Sequence, residues 1–284
     1  MSLALKILET VHHLQFYKMK ELLVVYRTEL IKTKNSFAFW LVILGALFIP
    51  AFFVSNIAWH WADYVHHLVE DNPNPWNEYS RKLFNGVHFT FLPLLIVLIV
   101  ALVFNIEHKS NTWKHVFVLP VSKTKIFIGK YMVLVTLVLL LYCLLFMFYL
   151  LGAYMLGIWK PEFGFLNHSP SYMYGNIHTS IVAYISKSFI TILAILAIHF
   201  WLSFRLKNLF STIGIGLGGV VLTIGMYISH WHSLIYVPYG LPVLMCNYAP
   251  DIQHFLTSFQ ENSLIYFAII SIASYFDFVK FFRG

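Results

Sequence analysis

The sequence predicts an all-α membrane protein with six transmembrane helices, an N-terminal amphipathic interfacial helix and a short cytoplasmic docking helix between spans two and three. Three observations predict it. The 284 residues are 59% hydrophobic and 11% charged, with a mean hydropathy of +0.72, a composition foreign to a soluble globular domain of this length. Six apolar runs reach the roughly 20 residues that cross a bilayer, near 36–58, 86–106, 126–158, 177–204, 209–230 and 262–282. The stretch from Glu107 to Lys130 joins two of these runs, is too long for a tight turn and is patterned like a helix. No loop approaches the ~100 residues of a separate soluble domain. Residues 1–284 therefore read as one membrane domain, an interfacial lead at 1–35 followed by the spans at 36–284.

The lead has no apolar core followed by a small-residue cleavage site, so it is not read as a signal peptide. Met19, Leu22, Leu23, Tyr26 and Leu30 recur at helical spacing on one face, with Lys20, Arg27, Lys32 and Lys34 on the other. That pattern suits a helix lying in the inner membrane interface; an ordinary basic flank is the alternative. Orientation follows from the cations, which are retained in the cytoplasm near helix ends. With the N-terminus inside, fifteen of the nineteen Lys and Arg fall on the inner side, and seven of the twelve acidic residues fall on the outer side. Both termini are expected in the cytoplasm. The net charge of +7 reads as anchoring to inner-leaflet lipid and not as nucleic-acid binding, because no basic cluster sits on a soluble domain.

After span two, Trp113, Val116, Phe117 and Pro120 fall at i, i+3, i+4 and i+7, an apolar stripe opposed by Lys109, Lys114 and His115. This is the geometry of a part that binds something at the cytoplasmic surface. In the fifth span, residues 214–219 (GIGLGG) formally match a dinucleotide-binding fingerprint, but that site needs a preceding strand and a soluble helix. Gly214, Gly218 and Gly225 read instead as a face along which another helix approaches closely. Gly129-Lys130 lacks the remaining residues of a phosphate-binding loop, so no ATP site is expected in this chain.

His60, His66 and His67 gather near Asp63, Glu70 and Asp71 in the first outer loop, at a spacing that matches no strong metal motif. His88 and His199 within spans have no acidic or Arg companion in sequence and read as hydrogen-bonded packing residues. Cys143 and Cys246 offer no disulfide or metal framework, and the sequon Asn167-His168-Ser169 reads as chance. No catalytic, cofactor or metal constellation is found. Residues 231–260, with Pro238, Gly240, Pro242 and Pro250, are either an outer loop or a segment that re-enters the membrane; the sequence leaves both open.

Two stretches resemble ABC-2 type transporter permeases, most of all the short six-span subunits of the lantibiotic-immunity and bacitracin-resistance kind. Glu29-Leu-Ile-Lys32-Thr-Lys34-Asn-Ser-Phe-Ala-Phe-Trp40 looks like the family's E-x-x-K-x-K lead into span one. Glu107, Thr112-Trp113-Lys114, Leu119-Pro120-Val121-Ser122 and Lys130 match its pattern around a coupling helix. The resemblance implies that Glu107, Thr112, Trp113, Lys114, Phe117, Leu119 and Pro120 serve coupling to a cytoplasmic ATPase, with Trp113, Phe117 and Leu119 as the contacts. Glu107 is expected to pair with a cation of the lead, to which Lys20, Arg27, Glu29, Lys32 and Lys34 belong.

On that resemblance the chain is an export permease in a bacterial inner membrane, moving a hydrophobic or amphipathic substrate such as a peptide antibiotic, a drug or a lipid-like molecule. ATP and its magnesium would be held by partner ABC ATPase subunits, and a second permease, identical or sister, would complete the path. A membrane enzyme acting on lipid or isoprenoid substrates, and a scaffold or sensor, are the competing classes. The first lacks any acid, base or metal constellation to work with.

Overall fold

The computed structural model describes residues 20–65, 74–110, 112–118, 120–174, 177–247 and 256–282. Six of its helical stretches are long and apolar enough to cross a membrane. Helix α1 (20–34) forms the described part of the lead; Lys6, Lys18 and Met19 lie outside the described residues. The first, fifth and sixth spans are α2 (Phe37–Trp59), α10 (Leu209–Ile228) and α12 (Ser258–Lys280), close to the ends that hydropathy assigns, and the short α3 (Trp61–Val65) follows the first.

Spans two and three are longer than hydropathy indicates. The second combines α4 (Pro75–Gly86), a wide turn over Val87–Phe91 and α5 (Leu92–Lys109), 35 residues in all, and the third is α7 (Lys123–Trp159), 37 residues. At 1.5 Å per residue each exceeds roughly 50 Å, against a hydrocarbon core of about 30 Å. The start of the second and the end of the third pack into a cap. Asn74 starts α4 by accepting the Trp76 amide at 3.0 Å, and the buried Trp76 indole donates to the carbonyls of Phe165 at 3.0 Å and His168 at 2.9 Å. Tyr79, Tyr149 and Phe165 surround its ring. The wide turn has Pro93 just beyond it, whose missing N–H leaves the preceding carbonyls to a longer reach: the Leu92 amide bonds Val87 five residues back.

The fourth span was expected as one helix from 177. Ile177–Ser180 instead forms strand β2, paired antiparallel with β1 (Ser171–Tyr174), and this hairpin closes the outer cap through the Ser80 hydroxyl on the Ser171 carbonyl at 2.9 Å. The all-α class stands, with that hairpin added. Helix α8 (Ile181–Thr191) follows, capped by Ser180 on the Ala183 amide at 3.2 Å, and α9 (Leu193–Arg205) continues after a break at Ile192. Ser263 of α12 repairs the broken ladder: its hydroxyl donates to the Ile190 carbonyl at 2.7 Å and accepts the Ala194 amide at 3.3 Å.

After α10 the chain reverses at His230, whose φ of 54° is left-handed. Residues 231–247, including the short α11 (Gly240–Val243), then run back along the bundle beside α10. Tyr239 reaches Gly219, nine residues and roughly 14 Å before the end of α10 at Ile228. A Cβ on Gly219 would lie 2.7 Å from the Tyr239 ring, so only glycine admits this approach. Side chains satisfy the irregular backbone: Asn262 donates to the Ile235 carbonyl at 3.0 Å, Tyr266 to Tyr236 at 2.8 Å and Tyr184 to Met245 at 3.2 Å. The phenol of Tyr239 meets His199 at 2.6 Å, and His88 bonds the Phe84 carbonyl at 2.7 Å and the Ser188 hydroxyl, so both intramembrane histidines have partners.

Candidate functional site

Helix α1 lies against the end of the second span and the start of the third because its sequence presents two kinds of contact there. Val25 seats on Gly129, where a Cβ would come within 2.7 Å of the valine methyl, and the Tyr26 phenol meets the Thr136 hydroxyl at 3.0 Å. Glu21 pairs with Lys125 one turn earlier. The close approach at Gly129 delivers Glu29 to the neighbouring residue of α7, Lys130.

Lys130 is fully buried and donates to Glu29 Oε2 at 2.8 Å and to Glu107 Oε1, from the end of α5, at 2.6 Å. Lys32 reaches the same pair, Glu29 Oε1 at 2.6 Å and Glu107 Oε1 at 3.4 Å. Two carboxylates are thus shared by two ammonium groups, drawn from α1, α5 and α7. The Lys130 ammonium also lies 5.2 Å from the Trp113 ring centroid and 5.5 Å from that of Phe104. Burial alone would raise the Glu29 carboxyl, but the adjacent Lys130 and Lys32 ammonium groups overcome it and hold the group below its ordinary value of 4.5. Glu107 Oε2 is buried with no hydrogen-bond partner among the described residues.

The docking helix forms as expected in position: α6 covers Trp113–Val118. It begins at Thr112, whose amide bonds the Glu107 carbonyl at 3.1 Å and whose carbonyl accepts the Val116 amide at 3.0 Å. Its apolar stripe, however, faces inward. Trp113 is 3% exposed, ringed by Phe104, Phe117, Phe278 and Phe282, and its indole meets His108 at 3.3 Å. Phe117 is half-buried in the same stack. Lys123 binds the end of α12 to this group through the Phe282 carbonyl at 2.7 Å. The face turned outward carries Lys114, His115 and Val118, the last 85% exposed.

The model of the ABC-2 family transporter proteins matches residues 25–226, from the lead through five spans. The chain belongs to that family. It is accordingly a multi-pass membrane protein and a membrane transporter permease subunit, and the match extends over the whole charge cluster and α6. It establishes the ABC-2 family at large and does not single out the lantibiotic-immunity subtype. No curated protein matches the chain.

In this ABC-2 permease the residues singled out from sequence fall in different surroundings. Glu29, Lys32 and Glu107 come together, while Lys20, Arg27 and Lys34 remain on the exposed side of α1. Glu29 and Lys32 thus turn away from the interface and dock the lead onto the bundle. Trp113 and Phe117, chosen as ATPase contacts, are packing residues of the permease itself, because the stripe that looks free in sequence has the ends of α5 and α12 beneath it. Lys114 and Pro120 are exposed, and Leu119 lies outside the described residues.

Gly214, Gly218 and Gly225 have nothing within 4 Å of where a Cβ would stand. Within the chain the close approaches of α10 are made by Gly216, against Val97 and His199, and by Gly219. His66, His67, Glu70 and Asp71 lie outside the described residues, among which no group of three potential metal ligands occurs. Sequence reasoning missed Lys130 as the centre of the cluster. The signal was the glycine beside it, which lets the acidic lead come close.

Proposed function

We propose that this permease works in an ATP-driven exporter in which α6 receives motion from a separate cytoplasmic ATPase that holds ATP and magnesium. The observation that carries this reading is the double attachment of α6. One side is packed into Phe278 and Phe282 at the end of α12, and its base at Thr112 hangs from Glu107 in the buried cluster that binds α1, α5 and α7. A push on the exposed Lys114, His115 and Val118 surface would therefore move several spans as one body. A hydrophobic or amphipathic substrate suits the apolar groove between α7 and α8, about 290 Å³, lined by Leu139, Tyr142, Phe146, Ile185 and Phe189.

A second permease, identical or sister, would complete the path, and the open α10 face bearing Gly214, Gly218 and Gly225 is a surface for it. The distribution of basic residues along the sequence supports a cytoplasmic location for both termini, and the family resemblance favours a bacterial inner membrane. Purification of the chain from its native membrane in mild detergent, with mass spectrometry and an ATPase assay, tests the proposal. A stoichiometric soluble protein with a nucleotide-binding loop is the expected companion, released by Lys114→Glu with Val118→Asp. A folded chain that purifies without any ATPase overturns it.

A further inference from the structure

The apolar groove between α7 and α8 carries three polar side chains on its walls, Tyr142, Cys143 and Ser186. What they can offer a ligand depends on where their protons go. Ser186, exposed on α8, donates its hydroxyl proton to the Val182 carbonyl at 2.8 Å, so its oxygen keeps only lone pairs for a ligand. Cys143 adds at most a weak S–H donor.

The proton of Tyr142 is fixed by residues deeper in the bundle. His88 Nδ1 lies 2.7 Å from the Phe84 carbonyl, which can only accept, so that nitrogen carries the hydrogen. The ring is buried against Phe84, Tyr184 and Ser188 and bonds no carboxylate among the described residues, so it is neutral and Nε2 is a lone pair. Nε2 therefore accepts from the Ser188 hydroxyl. Its own proton spent, Ser188 Oγ accepts from the Tyr142 phenol at 3.0 Å. The Phe84 carbonyl thus sets the direction of the whole chain, and the Tyr142 proton is committed to the interior of the protein.

We infer that the groove selects a ligand that brings its own O–H or N–H, a hydroxyl- or amide-bearing amphiphile, with Tyr142 and Ser186 as the acceptors that set this preference. The inference rests on the proposed role of the groove as a substrate site. A ligand of the same shape whose head has only acceptors, such as an ether, sets lone pairs against lone pairs in apolar surroundings and leaves its oxygen without a donor. His88 touches no ligand in this arrangement. It is a positioning residue, which keeps the Tyr142 oxygen an acceptor.

Photolabelling of the purified full chain in nanodiscs tests this with two probes of equal length, a diazirine-bearing long-chain alcohol and its methyl ether. The readout is the adduct yield in peptides covering residues 139–146 and 182–189, with the probe below saturation. The alcohol should label these peptides roughly threefold to tenfold more than the ether, the ratio that one net hydrogen bond gives. In Tyr142→Phe with Ser186→Ala, the alcohol should fall to the level of the ether, whose own yield stays unchanged and shows that the groove is intact. Equal labelling by both probes in the wild type, or a preference for the alcohol that survives in the variant, overturns the inference and leaves the groove a ligand site. Absence of adducts from these peptides with either probe overturns the groove reading together with the inference.

Discussion

Lys130 is a buried cation whose charge is matched only because three helices meet around it. Lys130→Met leaves Glu29 and Glu107 facing each other in a buried site, and removal of one member of such a group costs about 3–5 kcal/mol. A marked fall in the detergent melting temperature is the expected outcome, whereas Lys32→Met, at a side chain one-third exposed, should cost about 1 kcal/mol or less. The pH dependence has a definite sign. Because the Glu29 carboxyl is held below 4.5, the stability that it contributes is fully present above that value and is lost only as the pH falls through its lowered folded-state value. Melts of the wild type and Glu29→Gln should therefore differ by the same amount at pH 7 and pH 5, and converge below pH 4.5. Convergence already at pH 6 would contradict the assignment. At this scale the sequence was partly legible. Glu107 and the lead were paired correctly from their positions, but a lysine at the mouth of a span looks like any inner-side anchor, and burial is invisible until α1 is seen to lie over Gly129.

The elements were easier to read where hydropathy alone decides them and harder where tertiary contacts do. Spans one, five and six fall near their apolar runs, but Pro75–Gly86 is too polar to register as part of a span and is helical because Trp76, Tyr79 and Phe84 bury themselves in the outer cap. The interruption at Ile192 depends on Ser263, seventy-one positions away. Ser263→Ala leaves the Ala194 amide without its acceptor and takes one of two donors from the Ile190 carbonyl, and a loss of about 1–3 kcal/mol is expected in thermal melts. For α6 the periodicity located the helix and its stripe, yet amphipathic spacing cannot say which side has a neighbour. The inward stripe gives opposite expectations for its two faces. Trp113→Ala should lower the melting temperature, by about 3–5 kcal/mol in stability, while Lys114→Glu with Val118→Asp should leave the melt unchanged and abolish ATPase co-purification.

Across the whole molecule, the two glycine faces of α10 separate folding from assembly. Gly219→Leu drives a side chain into Tyr239 and should destabilise the monomer by about 1–3 kcal/mol, because it displaces the segment that folds back along α10. A Cβ at Gly218 meets nothing within 4 Å among the described residues, and Gly218→Leu should leave monomer melting unchanged. If α10 is the surface for a second permease, crosslinked dimer should fall with Gly218→Leu and not with a conservative change elsewhere on the exposed bundle. The glycine spacing gave no means of telling these faces apart, since both run along the same helix one position out of phase. The attachment of Phe282 has a practical consequence for any such experiment. Its carbonyl is held by Lys123 and its ring lies 5.0 Å from Trp113, so the last described turn of the protein is part of the same solid body as α6. An affinity tag or fluorescent protein fused directly behind it would pull on α6, and a deletion that removed Phe282 would loosen that helix without touching any residue of its outward face.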